Sequence, residues 1–176
     1  MKRAMRYMGF AVLPILLLVM SPGGADAQSQ ADIDAVNRLL DQYTELEEAM
    51  DMPSQARLIS KDRVWIAQGF GRRTDQEKNM RIQGAQMTLL QETIPGIRWF
   101  VEDRDRLVRF HGNGNVAIAS FFRYSTYLIP PGTPPELSEG LDQVPASAAT
   151  VVMEKVGGAW KIVHTHFSDL GPPAGS

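Results

Sequence analysis

The chain contains no cysteine. Disulfides, thiolate nucleophiles and thiolate metal sites are therefore excluded, and an exported form has to hold together by packing alone. Histidine is nearly as scarce, with three in 176 residues. Zinc sites want at least three protein ligands, and His111 lies on a different segment from His164 and His166, so no metal is expected. Strong charge of either sign is missing too: the net charge is −2. That offers no basic footprint for nucleic acid, and no basic amphipathic stretch suits a membrane surface. Neither a G-x-S-x-G elbow, a P-loop nor a dinucleotide glycine fingerprint occurs, so serine hydrolysis and nucleotide chemistry have no support and no cofactor is expected.

Long apolar runs are confined to the start. Lys2, Arg3 and Arg6 precede an apolar stretch from Gly9 to Met20, and the small-residue site Ala25-Asp26-Ala27 follows. This is the layout of a secretory signal peptide over residues 1–27. As a helix the stretch would reach about 18 Å, against a hydrocarbon core of about 30 Å, so an export signal fits better than a span. The expected location is periplasmic or secreted, with no membrane attachment after cleavage. A single domain over residues 28–170 and a disordered tail at 171–176 account for the remainder.

Within that domain, Ser29 and Asp32 mark a helix start, and Ile33, Val36, Leu40, Tyr43 and Met50 recur at helical spacing. Pro53 opens a second, short helix. Residues 62–67 alternate as a strand, residues 69–75 form a glycine-punctuated loop, and Thr74 is placed to cap a third helix ending at Pro95-Gly96. From Ile97 the period becomes two. A long strand with a phase slip near 103–106 turns at Gly112–Asn115 into a second strand, Val116–Ile129. Residues 130–145, with five prolines, form an exposed loop. Two more strands meet at Gly157-Gly158. Helices first and strands later indicate an α+β domain with helices on one face of a curved sheet.

The order of these segments resembles the SnoaL-like family of the nuclear transport factor 2-like superfamily. The matching points are the opening amphipathic helix, "DRVWIAQG", "GRRTD", "GIRWFVED", "NVAIASFFRY" and "WKIVHTHFS", which together span most of residues 31–169. The closing strand also resembles that of the calcium/calmodulin-dependent kinase II association domain, through Trp160, Val163, His164, His166 and Ser168. The resemblance implies a cone, in which a curved antiparallel or mixed sheet wraps three N-terminal helices and leaves a hydrophobic pocket (the cystatin-like roll). It also implies homodimerisation through the outer sheet face. Members include isomerases, cyclases, dehydratases and non-catalytic binding modules, so the fold does not give the reaction.

The enzymatic version would be cofactor-free proton transfer, with Asp103 as the acid, Tyr43 or Tyr124 as a supporting hydroxyl, and His164 and His166 as further candidates. If the kinase domain is a guide, Val163, Thr165 and Phe167 line the pocket, while the histidines share the outer face with Trp160 and Ile162. Trp65 and Trp99 are candidates for stacking on a flat apolar ligand at the cone mouth, together with Phe167 and Thr165. Arg123 is expected outward; turned inward, it would need a carboxylate from the protein or from a ligand. The expected partner is a small apolar or amphipathic molecule, with a second copy of the chain. The alternative is a non-catalytic dimerisation or protein-interaction module whose cone is filled by its own side chains.

Overall fold

The computed structural model describes residues 29–67, 71–141 and 146–171. The signal-peptide expectation at 1–27 and most of the tail therefore lie outside the described residues. Helix α1 spans Gln30–Glu48 and α2 spans Met52–Ala56. Strands β1 (Ile59–Ala67) and β2 (Gly71–Arg73) precede helix α3 (Gln76–Thr93). Strands β3 (Arg98–His111) and β4 (Val116–Leu128) lead to a one-turn helix α4 (Pro135–Ser138), and β5 (Ser147–Val156) and β6 (Ala159–Asp169) close the chain.

One six-stranded sheet runs in the order β2-β1-β6-β5-β4-β3. Strands β3 to β6 form an antiparallel meander, while β1 joins β6 in parallel, so the sheet is mixed and curved. Its inner face meets the apolar stripe of α1: Val36, Leu39, Leu40 and Tyr43 pack with Ala117, Ala119, Phe121, Val151, Met153 and Ile162. Each strand contributes alternate residues to this core, as strand geometry requires. The helix starts are capped by side chains. Ser29 Oγ accepts from the Asp32 N–H, and at α3 the cap is Asp75, not Thr74, accepting from the Lys78 N–H at 2.9 Å. Asp32 also accepts from Trp160 Nε1 at 3.2 Å and pairs with Lys155, tying the start of α1 to β5 and β6.

Three segments differ from the sequence expectation. Residues 71–73 form an edge strand instead of loop, pairing antiparallel with residues 65–67 of β1. The proline-rich loop contains the turn α4. In β6, the pairing with β5 slips between Val152 and Met153, opposite Val163. This bulge reverses the parity of the strand, so Trp160 and Ile162 are buried inward, not outward beside the histidines.

The expected slip in β3 is present. One extra residue lies between Arg104 and Leu107, and Asp105 takes φ 55°. Before the bulge Trp99, Val101 and Asp103 face inward; after it Val108 and Phe110 pack against the core.

Candidate functional site

Inside the cone, two arginines meet α1. Arg123 projects inward from β4 and is 6% exposed, which corrects the outward expectation. Its guanidinium makes a two-pronged contact with Asp103, Nε to Oδ1 at 2.8 Å and Nη2 to Oδ2 at 2.9 Å. Nη1 donates to Glu47 at 2.6 Å, and Nη2 also donates to Thr44 Oγ1 at 3.0 Å. Thr44 in turn donates to Asp103 at 2.9 Å. Thus the β3 slip has a use: it follows directly after Asp103 has been placed inward, opposite Arg123 in the β3–β4 register. Burial pulls the arginine towards neutrality, but Glu47 and Asp103 outweigh it and hold the group charged above its ordinary value. Phe167, Phe121 and Tyr43 surround the guanidinium, with ring centroids 5.2, 5.5 and 5.6 Å away. This is a satisfied buried ion pair in an aromatic collar.

The second arginine is only partly satisfied, by a hydrogen bond to the Tyr43 hydroxyl. Arg63, on β1, is 1% exposed, and its Nε and Nη1 have no hydrogen-bond partner. It forms no salt bridge among the described residues. Arg63 lies beside Tyr43, whose hydroxyl is pushed above its usual range first by burial and then by Glu47, with Arg63 and Arg123 opposing. Thr165, on neighbouring β6, is also buried, and its Oγ1 has no partner. Thr165 pairs in register with Trp65, which shares β1 with Arg63 two residues away. The interior therefore presents a cation, a tyrosine hydroxyl and a threonine hydroxyl, framed by aromatic rings.

The other sequence candidates fall elsewhere. Tyr124 stands on the outer face of β4, with Arg104 over its ring at 4.6 Å. His164 and His166 are also on the outer face, in register with Val152 and Thr150. His166 is exposed and its Nε2 lies 3.2 Å from Ser168 Oγ; His164 is held below its ordinary value by burial, with His166 adding to the effect. Trp99 lies tilted against Tyr127, ring centroids 4.4 Å apart, beside a second core cluster of Met50, Ile94 and Ile97, and its Nε1 donates to Glu47 at 3.4 Å. Trp65 receives Arg73 over its ring at 5.6 Å. The structure thus gathers Tyr43, Asp103, Arg123 and Phe167, and places Thr165 and Trp65 on the neighbouring strands. Tyr124 and both histidines are left outside.

Arg63, Glu47 and Thr44 escaped the sequence reading. In "ISKDRVWIA" both alternating sets contain apolar residues, Ile59 and Trp65 on one side and Val64 and Ile66 on the other. Periodicity alone gives no reason to bury the arginine. No cluster of His, Cys, Asp and Glu able to hold a metal occurs among the described residues.

Neither sequence-family models nor characterised proteins match this chain. Solved structures match its shape. A nuclear transport factor 2-like protein with a cystatin-like fold from Novosphingobium aromaticivorans superposes with a TM-score of 0.60 at 16% identity, over 82% of this chain and 85% of that one. A nuclear transport factor 2-like superfamily protein from Salmonella enterica gives 0.61 at 17% identity, over 83% and 98%. A provisionally named scytalone dehydratase, also from N. aromaticivorans, gives 0.60 at 15%, over 79% and 84%. Identities this low speak for shape alone. With its mixed curved sheet wrapped on the N-terminal helices, the chain has the nuclear transport factor 2-like, cystatin-like fold.

Proposed function

We propose that this SnoaL-like domain binds a small, mainly apolar molecule through an anionic group held by Arg63 inside the cone. The observation that carries this reading is the pair of unpartnered Arg63 N–H groups in a 1% exposed side chain. A buried donor left unmade costs about 1–3 kcal/mol, and more when charged. A ligand carboxylate would supply the missing acceptors, with Tyr43 and Thr165 as neutral hydroxyls beside it. Aromatic walls at Phe167 and Trp65 suit the apolar part.

Binding is favoured over proton-transfer catalysis by what surrounds Asp103. Both of its oxygens are taken by Arg123 and Thr44, so the carboxylate that would serve as a base is already occupied. The histidines, which would be the other bases, lie on the far side of the sheet. A neutral Tyr43 remains able to donate to an oxyanion, so a dehydratase-type or isomerase-type reaction would need a base from elsewhere.

The test is a thermal-shift and calorimetry series of apolar carboxylates, such as decanoate and cinnamate, each against its methyl ester. Acids at about 100 times their Kd should stabilise by about 2.7 kcal/mol. The esters should not, and Arg63→Met should erase the difference. Equal responses to acid and ester, or acid binding that survives Arg63→Met, would refute the reading.

Two further parts of the reading concern the chain's surroundings. Residues 1–27 direct export, which a mature N-terminus at Gln28 by mass spectrometry would support. The outer sheet face pairs two copies, because it exposes Phe100, Leu107, Phe122 and Tyr124 on adjacent strands.

A further inference from the structure

A second cavity lies apart from the cone centre. It measures about 620 Å³ and sits between α2, α3 and the start of β1. Neither Tyr43, Arg63, Arg123 nor Thr165 lines it. Its apolar wall is made by Met50, Met52, Ile59 and Met80. Its size falls within the ordinary range for small-molecule sites, roughly 300–1,000 Å³.

Helix α3 shapes the cavity through two adjacent ridges, one of them Glu77, Arg81 and Ala85. Gln76, Met80, Gly84 and Thr88 recur every four residues and all line it. Gly84 leaves the room. A Cβ there would meet Met52 Cβ at 3.7 Å, an ordinary contact, so the backbone does not require glycine at this helical position. What the glycine preserves is space.

Gln76 supplies the second observation. It is 5% exposed, and both its Oε1 and its Nε2 lack any partner. The helix start is capped by Asp75, so the Gln76 amide has no capping duty. A buried amide with an open donor and an open acceptor is costly to maintain. A carboxylate would answer the donor and repel the acceptor; an ammonium would do the reverse. A group with C=O beside N–H answers both at once, matching the spacing of the two amide atoms. The exposed charges around the cavity are mixed in sign, and Arg81 pairs with Glu77 at 3.8 Å, leaving Lys61, among the described residues, as the one cation of the rim outside that pair.

We propose that this cavity binds an uncharged small molecule with an apolar body and an amide or lactam edge, which Gln76 reads with two hydrogen bonds. Both amide atoms are covered in the structure, so a guest reaches them by shifting wall side chains. Methionines allow this at low cost.

The probe is 4-butylbenzamide, compared with its N,N-dimethyl analogue, titrated into isotope-labelled protein and followed by amide NMR. The primary amide should shift the Gln76 side-chain and Gly84 backbone signals. The dimethyl analogue should bind at least about tenfold more weakly, having lost the donor. Gly84→Leu, which fills the space at a helix-compatible position, should abolish binding while keeping the fold. Gln76→Leu should bring the two compounds to equal affinity, and Arg63→Met should leave the affinity for the primary amide unchanged, which separates this site from the cone. Equal affinity for both compounds in the unaltered protein, no shift at millimolar probe, or undiminished binding by Gly84→Leu would overturn the proposal.

Discussion

Two inward arginines, about equally buried, make opposite predictions. Arg123 is matched by Asp103 and Glu47, and removing one partner of such a buried pair strands the other charges. Arg123→Met should therefore destabilise the fold by about 3–5 kcal/mol. Arg63 has no such charged partners, so replacing it with a shorter, unbranched apolar chain removes an uncompensated desolvation. Arg63→Met should leave stability unchanged or raise it by about 1–3 kcal/mol, while abolishing acid binding. Urea denaturation of the two variants and the unaltered protein checks both signs at once. Loss of stability on Arg63→Met comparable to that of Arg123→Met would mean that Arg63 is a structural residue. The contrast also shows what a sequence can carry at this scale. Both arginines sit in alternating strands among aromatics. What separates them is the identity of residues distant in the chain: Glu47 lies 76 positions from Arg123, and its pairing depends on how α1 lies on the sheet.

At the level of elements, register slips in β1, β3 and β6 decide which side chains reach the interior. The one in β3 was legible because its signal is chemical: an inward series of Ile97, Trp99 and Val101 runs into Asp103 and Asp105, and resumes out of phase. The one in β6 was not, because "WKIVHTHFS" alternates plausibly in either phase. Trp160 and Ile162 can serve an inner face as well as an outer one, and only the pairing with β5 breaks the tie. The same ambiguity hid Arg63 on β1. Helices were read more readily, since the apolar stripe of α1 has a single solution in which Val36, Leu40 and Tyr43 face the sheet. The β3 bulge makes its own prediction. Asp105 holds φ 55°, where a Cβ is strained and a β-branched one more so. Asp105→Gly should be neutral or stabilising by up to about 1 kcal/mol, and Asp105→Val should destabilise by about 1–3 kcal/mol. If the valine variant also weakens acid binding, the strain has propagated through Asp103 and Arg123 into the cone. Chemical denaturation alongside calorimetry separates the two effects.

For the whole molecule, the open question is what covers the convex side of the sheet. Phe122 is 40% exposed and Phe100 44%, with Leu107 and Tyr124 close by in the β3–β4 register. These apolar side chains, interspersed with the exposed Arg104–Glu102 ion pair, favour burial against a partner. Self-association about a two-fold axis would set the same face against itself, so one substitution acts twice. Phe122→Glu should therefore convert a dimer to monomer, with little effect on the fold because the side chain lies outside the core. His164 adds a pH dependence to the stability of the fold. His164 is held below 6.5, so the folded chain resists its protonation. Its contribution is complete above 6.5 and is lost as pH falls through the depressed value. In a dimer the two copies' imidazoles would share that face, so acid should favour monomer. Sedimentation velocity at pH 7.5 and 5.0 checks this: dimer should predominate at the first and fall at the second, and Phe122→Glu should be monomeric at both. A monomer at pH 7.5 at tens of micromolar would refute pairing through this face, and a dimer indifferent to Phe122→Glu would place the association on another surface.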